Sequence, residues 1–426
     1  MEGGKMQDIQ DLLTQAQTAF LGGQYDVAIE LCVKVLEIES KNIQALTIAG
    51  MASLVLNNLD SAEMYFNIAL GVAPNNGELY FMLGNALFGQ QRISEALQSY
   101  AKAERYGCSD ESKKKLYYLM GLINQIQGQP KAALINYKKS LGIQGINIDQ
   151  ADIFLKCTQL CVEAQNFDEA ETYAIQIKLI KPELFKSYEL LFQILLQQRK
   201  IDEAFAVLED AEKSCPETDF ANIAHYRALL HSVLAEIKPE NSKKHYKDAL
   251  NILHSIDLAK QTAEKQLEII LSKAELYLKQ NDIIRAREYA EEATKILCIN
   301  NFSESVDKAN FIILECLKNE NKFSDAVPYA VKLKESKNDF YRCHGFYTVA
   351  WLIKQQKGED EAIKPYTDAI AFYRTSTARN PADMIAFSYR IRAYSDIGLK
   401  EKARELCSIL PEKMRKEMMK YVEQAS

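Results

Sequence analysis

Histidine is the first residue type in this chain whose placement suggests chemistry, because four of the five histidines fall within one short segment. They are His225, His231, His245 and His254. Two histidines of a single helix share a metal ion when they lie one turn apart on the same face. None of the spacings between these four meets that condition, so the sequence predicts helix-surface or packing roles and no metal site.

The cysteines give a similar result. The chain has nine, an odd number, and no CxxC pair. Cys157 and Cys161 lie one helical turn apart, but no second pair completes a metal or redox site. Cysteines of this kind act as small apolar packing residues in a reducing compartment, so we expect a cytoplasmic protein without disulfides.

Motifs for catalysis are missing from the sequence. It contains no GxxxxGK[ST], no GxGxxG after a strand, no GxSxG and no HExxH. We therefore expect a protein that is not an enzyme and that needs no cofactor.

Charge and hydropathy exclude two classes of partner. The net charge of −6 is small for 426 residues, and acidic and basic residues alternate instead of forming a basic stripe. The run 113–115 of three lysines follows two acidic residues and is expected to be a solvated loop. The longest uncharged stretch, residues 42–59, is interrupted by polar side chains, and residues 1–28 lack a secretory signal pattern. Neither nucleic acid nor membrane is an expected partner, and the oligomeric state is left open.

The sequence contains an internal repeat, and this repeat predicts the elements that must position any functional residues. Residues 46–69, 80–103 and 117–140 align without gaps. Each copy has a glycine, an alanine three helical turns later, an aromatic residue one turn beyond that and a small residue after a further turn. The aligned positions are Gly50, Gly84 and Gly121; Ala62, Ala96 and Ala133; Phe66, Tyr100 and Tyr137; and Ala69, Ala103 and Ser140.

The alanine of this unit marks the repeat along the whole chain. It recurs at intervals of roughly 34 to 41 residues, within the range of known helical repeats, and indicates about eleven helix pairs. The markers are Ala28, Ala62, Ala96, Ala133, Ala170, Ala204, Ala286, Ala326, Ala362 and Ala403, with His245 in the expected place between Ala204 and Ala286. Small residues let two helices cross closely, and the aromatic residue is expected to fill the wedge between one pair and the next.

Helix boundaries can also be predicted from the repeat. Polar residues just before each second helix are expected to be N-caps: Asp26, Asp60, Ser94, Asp168, Asp202, Ser324 and Asp360. Pro130 suits a first helical position. Pro74, Pro182 and Pro216 follow their alanines at one constant spacing and should end the second helix, whereas Pro328 and Pro365 fall inside predicted helices and should kink or shorten them.

These residues resemble the tetratricopeptide repeat family, whose usual period is about 34 residues. The resemblance implies an all-α, right-handed superhelical solenoid of helix-turn-helix repeats. It is specific over a regular array at residues 7–218 and looser over an irregular array at 219–426, where residues 412–423 should form a C-terminal capping helix.

In this family the first helices of successive pairs line a concave groove that holds a partner segment. Transferred position by position, the resemblance implies partner-binding residues on two parts of the groove. These are Phe81, Asn85, Phe88 and Tyr118 in the early repeats, and Phe311, Glu315, Lys318, Tyr347, Trp351 and Lys354 in the later ones.

Two details of the groove matter for the interpretation. Some family members clamp an acidic chaperone tail, but Phe81 and Leu119 stand where the clamp needs Lys and Asn, so that function is not transferred. Phe311, Tyr347 and Trp351 are expected to form an exposed aromatic shelf. A core position for Trp351 is the alternative, and the sequence does not decide between them.

The resulting hypothesis is a non-catalytic scaffold that binds a protein or peptide in the groove. A peptide-responsive regulator resembling bacterial pheromone receptors with similar repeats is the alternative. An enzyme with a site hidden in the groove is a third, less favoured hypothesis.

Overall fold

The computed structural model describes residues 2–143, 149–297, 303–379 and 383–424, and over these ranges the chain is helical with no β-strand. The prediction of an all-α fold is confirmed. The chain divides into two compact units, residues 1–215 and 216–426.

Unit 1 contains twelve helices in its described residues. They are α1 (Glu2–Leu21), α2 (Tyr25–Ile38), α3 (Ile43–Val55), α4 (Leu59–Val72), α5 (Gly77–Gly89), α6 (Ile93–Tyr106), α7 (Asp110–Ile126), α8 (Pro130–Leu141), α9 (Gln150–Glu163), α10 (Phe167–Ile180), α11 (Phe185–Gln197) and α12 (Ile201–Ser214).

Unit 2 contains eleven helices in the part that is described. They are α13 (Phe220–Ile237), α14 (Ser242–Ser255), α15 (Ala263–Lys279), α16 (Ile283–Leu297), α17 (Ser303–Asn319), α18 (Phe323–Lys334), α19 (Asp339–Lys357), α20 (Glu359–Arg379), α21 (Met384–Asp396), α22 (Lys400–Cys407) and α23 (Glu412–Gln424).

Within each unit the helices pack in consecutive pairs, and the first helices of neighbouring pairs, such as α15, α17 and α19, also contact one another. This is the arrangement of a helical repeat array. The handedness of its superhelix and the number of its repeats stay predictions.

The small residues lie where the helices of a pair cross. All ten marker alanines are buried. A Cβ atom built on Gly84 would stand 2.5 Å from Cε1 of Tyr100, and Gly50 with Phe66 and Gly121 with Tyr137 repeat this geometry. The aromatic ring therefore packs on the glycine of its own pair, whereas the sequence argument placed it between pairs.

The turns between paired helices are closed by the backbone. At the end of α3, Asn57 adopts a left-handed φ of 60°, and the N–H of Asn58 donates to the carbonyl of Ser53 at 2.8 Å. This is a Schellman motif. Asn58, the last residue of this motif, also directly precedes α4. The end of α3 therefore sets the backbone conformation of Asn58.

The prediction of these N-caps is consequently wrong, because the residues lie inside their helices and not at the capping position before them. Asp26, Asp60, Ser94, Asp168, Asp202, Ser324 and Asp360 are each the second residue of their helix. The capping positions before these helices, including Gln24, Asn58, Arg92 and Lys200, make no side-chain capping bond. The acidic residues instead lie in the first turn, where their charge stabilises the positive end of the helix dipole.

The four prolines predicted at helix ends lie there, while a kink at the two prolines predicted inside helices stays a prediction. Pro130 begins α8, while α4, α10 and α12 end just before Pro74, Pro182 and Pro216. Pro328 and Pro365 lie inside α18 and α20. The expected shortening is wrong for Pro365, because α20 continues to Arg379.

Candidate functional site

In unit 2, α15, α17 and the start of α19 line an open cavity of about 650 Å³. We call the apolar and aromatic side chains that line it the floor, and the charged side chains that line or adjoin it the rim. The lining residues are Glu275, Leu278, Lys279, Asn281, Lys308, Phe311, Ile312, Glu315, Asn319, Phe340 and Tyr341. These come from first helices of consecutive pairs and from the turn after α15, the helices that line the groove implied by the family resemblance.

Phe311 is the centre of an aromatic cluster on this floor. Its ring centroid lies 4.9 Å from that of His344, 5.7 Å from Phe340 and 5.8 Å from Tyr341. Phe340 is 38% exposed. The cluster therefore joins a half-buried ring on α17 to a solvent-accessible ring at the start of α19.

His344 connects this cluster to a buried polar network. Its Nδ1 accepts a hydrogen bond from the Tyr389 hydroxyl at 2.8 Å, and its Nε2–H donates to Glu315 Oε1 at 2.9 Å. Burial lowers the pKa of His344, so the ring is neutral at pH 7 and this tautomer satisfies both partners. The network fixes the orientation of His344, and through it the position of Phe311.

Both carboxylates on the rim are paired. Glu315 accepts from Lys318 Nζ at 2.7 Å, and Glu275 contacts Lys308 at 2.8 Å and Lys279 at 3.2 Å. Burial opposes the ionisation of Glu275, but the charges of Lys308 and Lys279 outweigh it and lower the pKa of this carboxyl. Because these acidic and basic side chains neutralise one another, the rim favours a partner segment that hydrogen-bonds through its backbone over one with a large net charge.

Tyr347 does not lie on an open groove, and its predicted exposure is wrong. It is 8% exposed, and its hydroxyl hydrogen-bonds to Asp396 and to Tyr421 at 2.7 and 2.8 Å. The end of α21 and the C-terminal helix α23 thus cover it. The observed aromatic cluster consists of Phe311, Phe340 and Tyr341 in place of the predicted shelf.

Trp351 lies between the two environments that the sequence left open. Its ring is half-buried, packs edge-on against Phe323 at 5.5 Å, and lies under Lys318 Nζ at 5.2 Å. It contacts both hydrophobic clusters of unit 2. Lys354, one turn further on, contacts the Asp396 carbonyl at 3.3 Å and Glu359 at 3.0 Å.

The predicted groove residues of unit 1 divide in the same way. Phe81 is 6% exposed and belongs to a core cluster, so its predicted groove exposure is wrong: its ring packs towards Tyr100, 6.1 Å away. Asn85 accepts a hydrogen bond from the Tyr100 hydroxyl, and Tyr118 donates to Asp152. Phe88 and Tyr118 remain half-buried.

Sequence reasoning missed Phe340 and Tyr341 because the register was counted from the centre of the helix. Both lie in its first turn, which reaches the groove because α19, at 19 residues, is longer than α3 and α5, at 13 residues each, and α7, at 17. The helix length itself was the signal, since the longer periods of the later repeats leave room for an extra turn.

None of the described helices combines the length and apolar character that crossing a bilayer requires.

Comparison with known proteins supports the repeat assignment. Residues 49–110 match the tetratricopeptide repeat family. Among solved structures, a protein described by the functional characterisation of Pseudomonas aeruginosa pilF is 18% identical, with a TM-score of 0.40, and the match covers 49% of this chain and 93% of that one.

Two further structures are similar to this chain. The C-terminal part of a repeat-containing protein from Cytophaga hutchinsonii is 14% identical, with a TM-score of 0.43, over 70% of this chain and 98% of that one. YrrB, described as a tetratricopeptide protein with an unusual peptide-binding site, is 18% identical, with a TM-score of 0.38, over 46% of this chain and 96% of that one.

The helix pair matched by the family recurs on both sides of the matched segment, and every pair except that of α13 and α14 has the buried marker alanine at its crossing. Solenoid repeats of this kind present extended surfaces for binding proteins or peptides. The chain is therefore a helical repeat array, of which residues 49–110 match the tetratricopeptide repeat family.

Proposed function

We propose that the chain binds a protein or peptide segment in the groove of unit 2, with an apolar side chain of the partner held against Phe311, Phe340 and Tyr341. The observation that carries the proposal is the cavity of about 650 Å³ formed by three consecutive first helices, with this aromatic floor. Aromatic residues in concave sites are typical binding anchors.

The polar rim suits an extended segment. Glu275, Lys308, Glu315 and Lys318 hold one another through ion pairs, so their positions are set before a partner arrives. Asn281 and Asn319 also line the cavity and carry amides of the kind that pair with a peptide backbone. Because little side-chain order must be created on binding, the entropic cost of association is reduced.

The other predicted contacts fit around this centre. Glu315 lines the cavity and Lys318 pairs with it. Trp351 and Lys354 are further partner contacts in the proposal only if the segment continues beyond the cavity. Phe88 and Tyr118 remain proposed partner contacts of unit 1, considered separately from the cavity of unit 2.

The test selects peptides from a displayed random library on the full chain and then measures the affinity of one selected peptide by fluorescence anisotropy. Phe311→Ala should weaken binding by about 2 kcal/mol or more, roughly thirtyfold in Kd, because it removes the central ring of the floor. Phe220→Ala is the matched control, since Phe220 is an exposed phenylalanine of the same unit that does not line the cavity.

Circular dichroism of both variants must show the helical content of the wild type. Equal affinity of wild type and Phe311→Ala for every selected peptide would contradict the proposal.

A further inference from the structure

We infer that His231, His245 and Asp248 form a binding site for a divalent transition metal between α13 and α14, and that zinc is the ion it fits. One ligand atom from each of the three residues lies within 4.8 Å of the other two. Two imidazoles and one carboxylate are a ligand set typical of zinc. The proposal is independent of the groove, since none of these residues lines the cavity around Phe311.

The distance between the two imidazoles matches a metal site. Nδ1 of His231 and Nδ1 of His245 are 3.4 Å apart. Two nitrogens that bind one tetrahedral zinc at bond lengths of about 2.0 to 2.1 Å lie about 3.3 Å from each other. A zinc ion can thus bind both imidazoles with little movement of the rings. A rotation of the Asp248 side chain then supplies its carboxylate as the third ligand.

The helices position these side chains from both sides. His245 and Asp248 are three residues apart on α14 and so share one face of that helix. His231 projects from α13, the helix packed against α14, and its ring centroid lies 5.6 Å from that of His245. All three residues are partly buried, which leaves a path for an ion and room for a water molecule as fourth ligand.

The repeat pattern singles out His245. It holds the place where ten other pairs have a buried alanine, whereas here the buried alanine is Ala249, one turn further on. The imidazole at this position lies opposite a second imidazole, that of His231 on α13. Packing alone does not require a histidine on both helices.

Charge near the site sets its expected strength. Asp248 contributes negative charge, while Arg227 and Lys244 contribute positive charge close to His231. The two cations oppose the binding of a dication. We therefore expect micromolar affinity for zinc, weaker than that of a structural zinc site built from four protein ligands.

The experiment titrates zinc chloride into the chelator-treated full chain at pH 7 and follows binding by calorimetry. The wild type should bind one zinc ion at this site. His231→Gln and His245→Gln should each weaken that binding by about 100-fold, and Asp248→Asn by about tenfold. His254→Gln is the matched control, because His254 lies on the same helix outside the cluster and contacts Tyr277; its zinc affinity should equal that of the wild type.

Cobalt provides a second readout that does not depend on affinity. Bound Co²⁺ should give visible ligand-field bands without the near-ultraviolet band of a cobalt–thiolate bond. The proposal is overturned by a thiolate band, by zinc binding that persists in both histidine variants, or by a wild type that binds no zinc. Circular dichroism of each variant confirms that a loss of binding is not a loss of fold.

Discussion

At the scale of single residues, the close contact between Gly84 and Tyr100 gives a direct test of the repeat. Alanine normally stabilises a helix interior relative to glycine. At Gly84 the added methyl would stand 2.5 Å from a ring that is fully buried and cannot retreat. Gly84→Ala should therefore lower the free energy of unfolding by about 1 to 3 kcal/mol, measured by urea denaturation.

Gly71 is the matched control for this prediction. It also lies in a helix, near the end of α4, but a Cβ built there meets nothing within 4 Å. Gly71→Ala should raise stability by up to about 1 kcal/mol. The same sign of change in both variants would contradict the assigned helix crossing.

The residue scale also decides the role of Trp351. Because its ring is half-buried between two clusters and contacts Phe323 and Lys318, Trp351→Ala should cost about 2 to 3 kcal/mol of stability, less than a fully buried tryptophan. Trp351→Phe retains a ring in both contacts and should recover most of this loss. Thermal melts followed by circular dichroism measure both; an unchanged midpoint in Trp351→Ala would favour the exposed groove position.

What the sequence predicts at this scale depends on how local the contacts are. Gly84 and Tyr100 lie within a single repeat, and the alignment found both. Tyr347 is covered by Asp396 and Tyr421, which are 49 and 74 residues away and belong to no repeated pattern. Burial of that kind cannot be deduced from a register counted within one repeat.

At the scale of the elements, the turn inside each pair except that of α13 and α14 contains one residue with positive φ. Glycine holds this place at Gly23, Gly128 and Gly398, but Gln91 and Arg199, among others, hold it with φ near 60°. Residues other than glycine are strained at positive φ, because the Cβ atom comes too close to the following carbonyl oxygen. The sequence predicts side-chain caps here, whereas backbone hydrogen bonds close the turn.

Arg199 offers a test of that turn. It is exposed with a φ of 59°, so Arg199→Gly should stabilise the chain by about 0.5 to 1 kcal/mol through relief of left-handed strain. Gln197→Gly, two residues earlier at the exposed end of α11, should destabilise by a similar amount because the residue there is helical. Urea denaturation measures both, and the expectation fails if the two substitutions act in the same direction.

The C-terminal helix is the second element with a testable energetic role. Tyr421 on α23 donates to Asp396 at 2.9 Å, and Asp396 also accepts from Tyr347 and Tyr366. Burial, together with the charge of Asp396, raises the pKa of Tyr421 from 10 to about 12. The folded chain therefore holds this proton more tightly than the unfolded chain does.

The consequence is a loss of stability at alkaline pH. The contribution of Tyr421 is fully present below pH 10 and is lost as the pH rises towards about 12, because the unfolded chain releases the proton first. In Tyr421→Phe the fall in the free energy of unfolding over this range should be shallower. Met418→Ala, which removes a buried side chain from the same helix, should lower stability without changing that slope.

At the scale of the whole molecule, the contacts are largely between sequence neighbours, and this is why the architecture was predictable. A repeat array adds one pair to the next, so the pattern of one unit extends to many. The sequence predicts the change from the regular to the irregular array after residue 218, and the two compact units divide between residues 215 and 216.

The division into two compact units predicts which N-terminal fragments of the chain fold by themselves. The described hydrophobic clusters of unit 1 involve only residues before 216. A fragment of residues 1–215 should thus keep its helical content and unfold cooperatively in urea. A fragment of residues 1–200 lacks α12, which lies close to the fully buried Tyr188 through Ser214 at its end. Without α12 the apolar face of α11 should be exposed. The shorter fragment should therefore bind a hydrophobic dye and unfold over a broader range of urea concentration. Equal dye binding and equal breadth in the two fragments would show that unit 1 does not end where its contacts do, and that its stability depends on residues beyond 215.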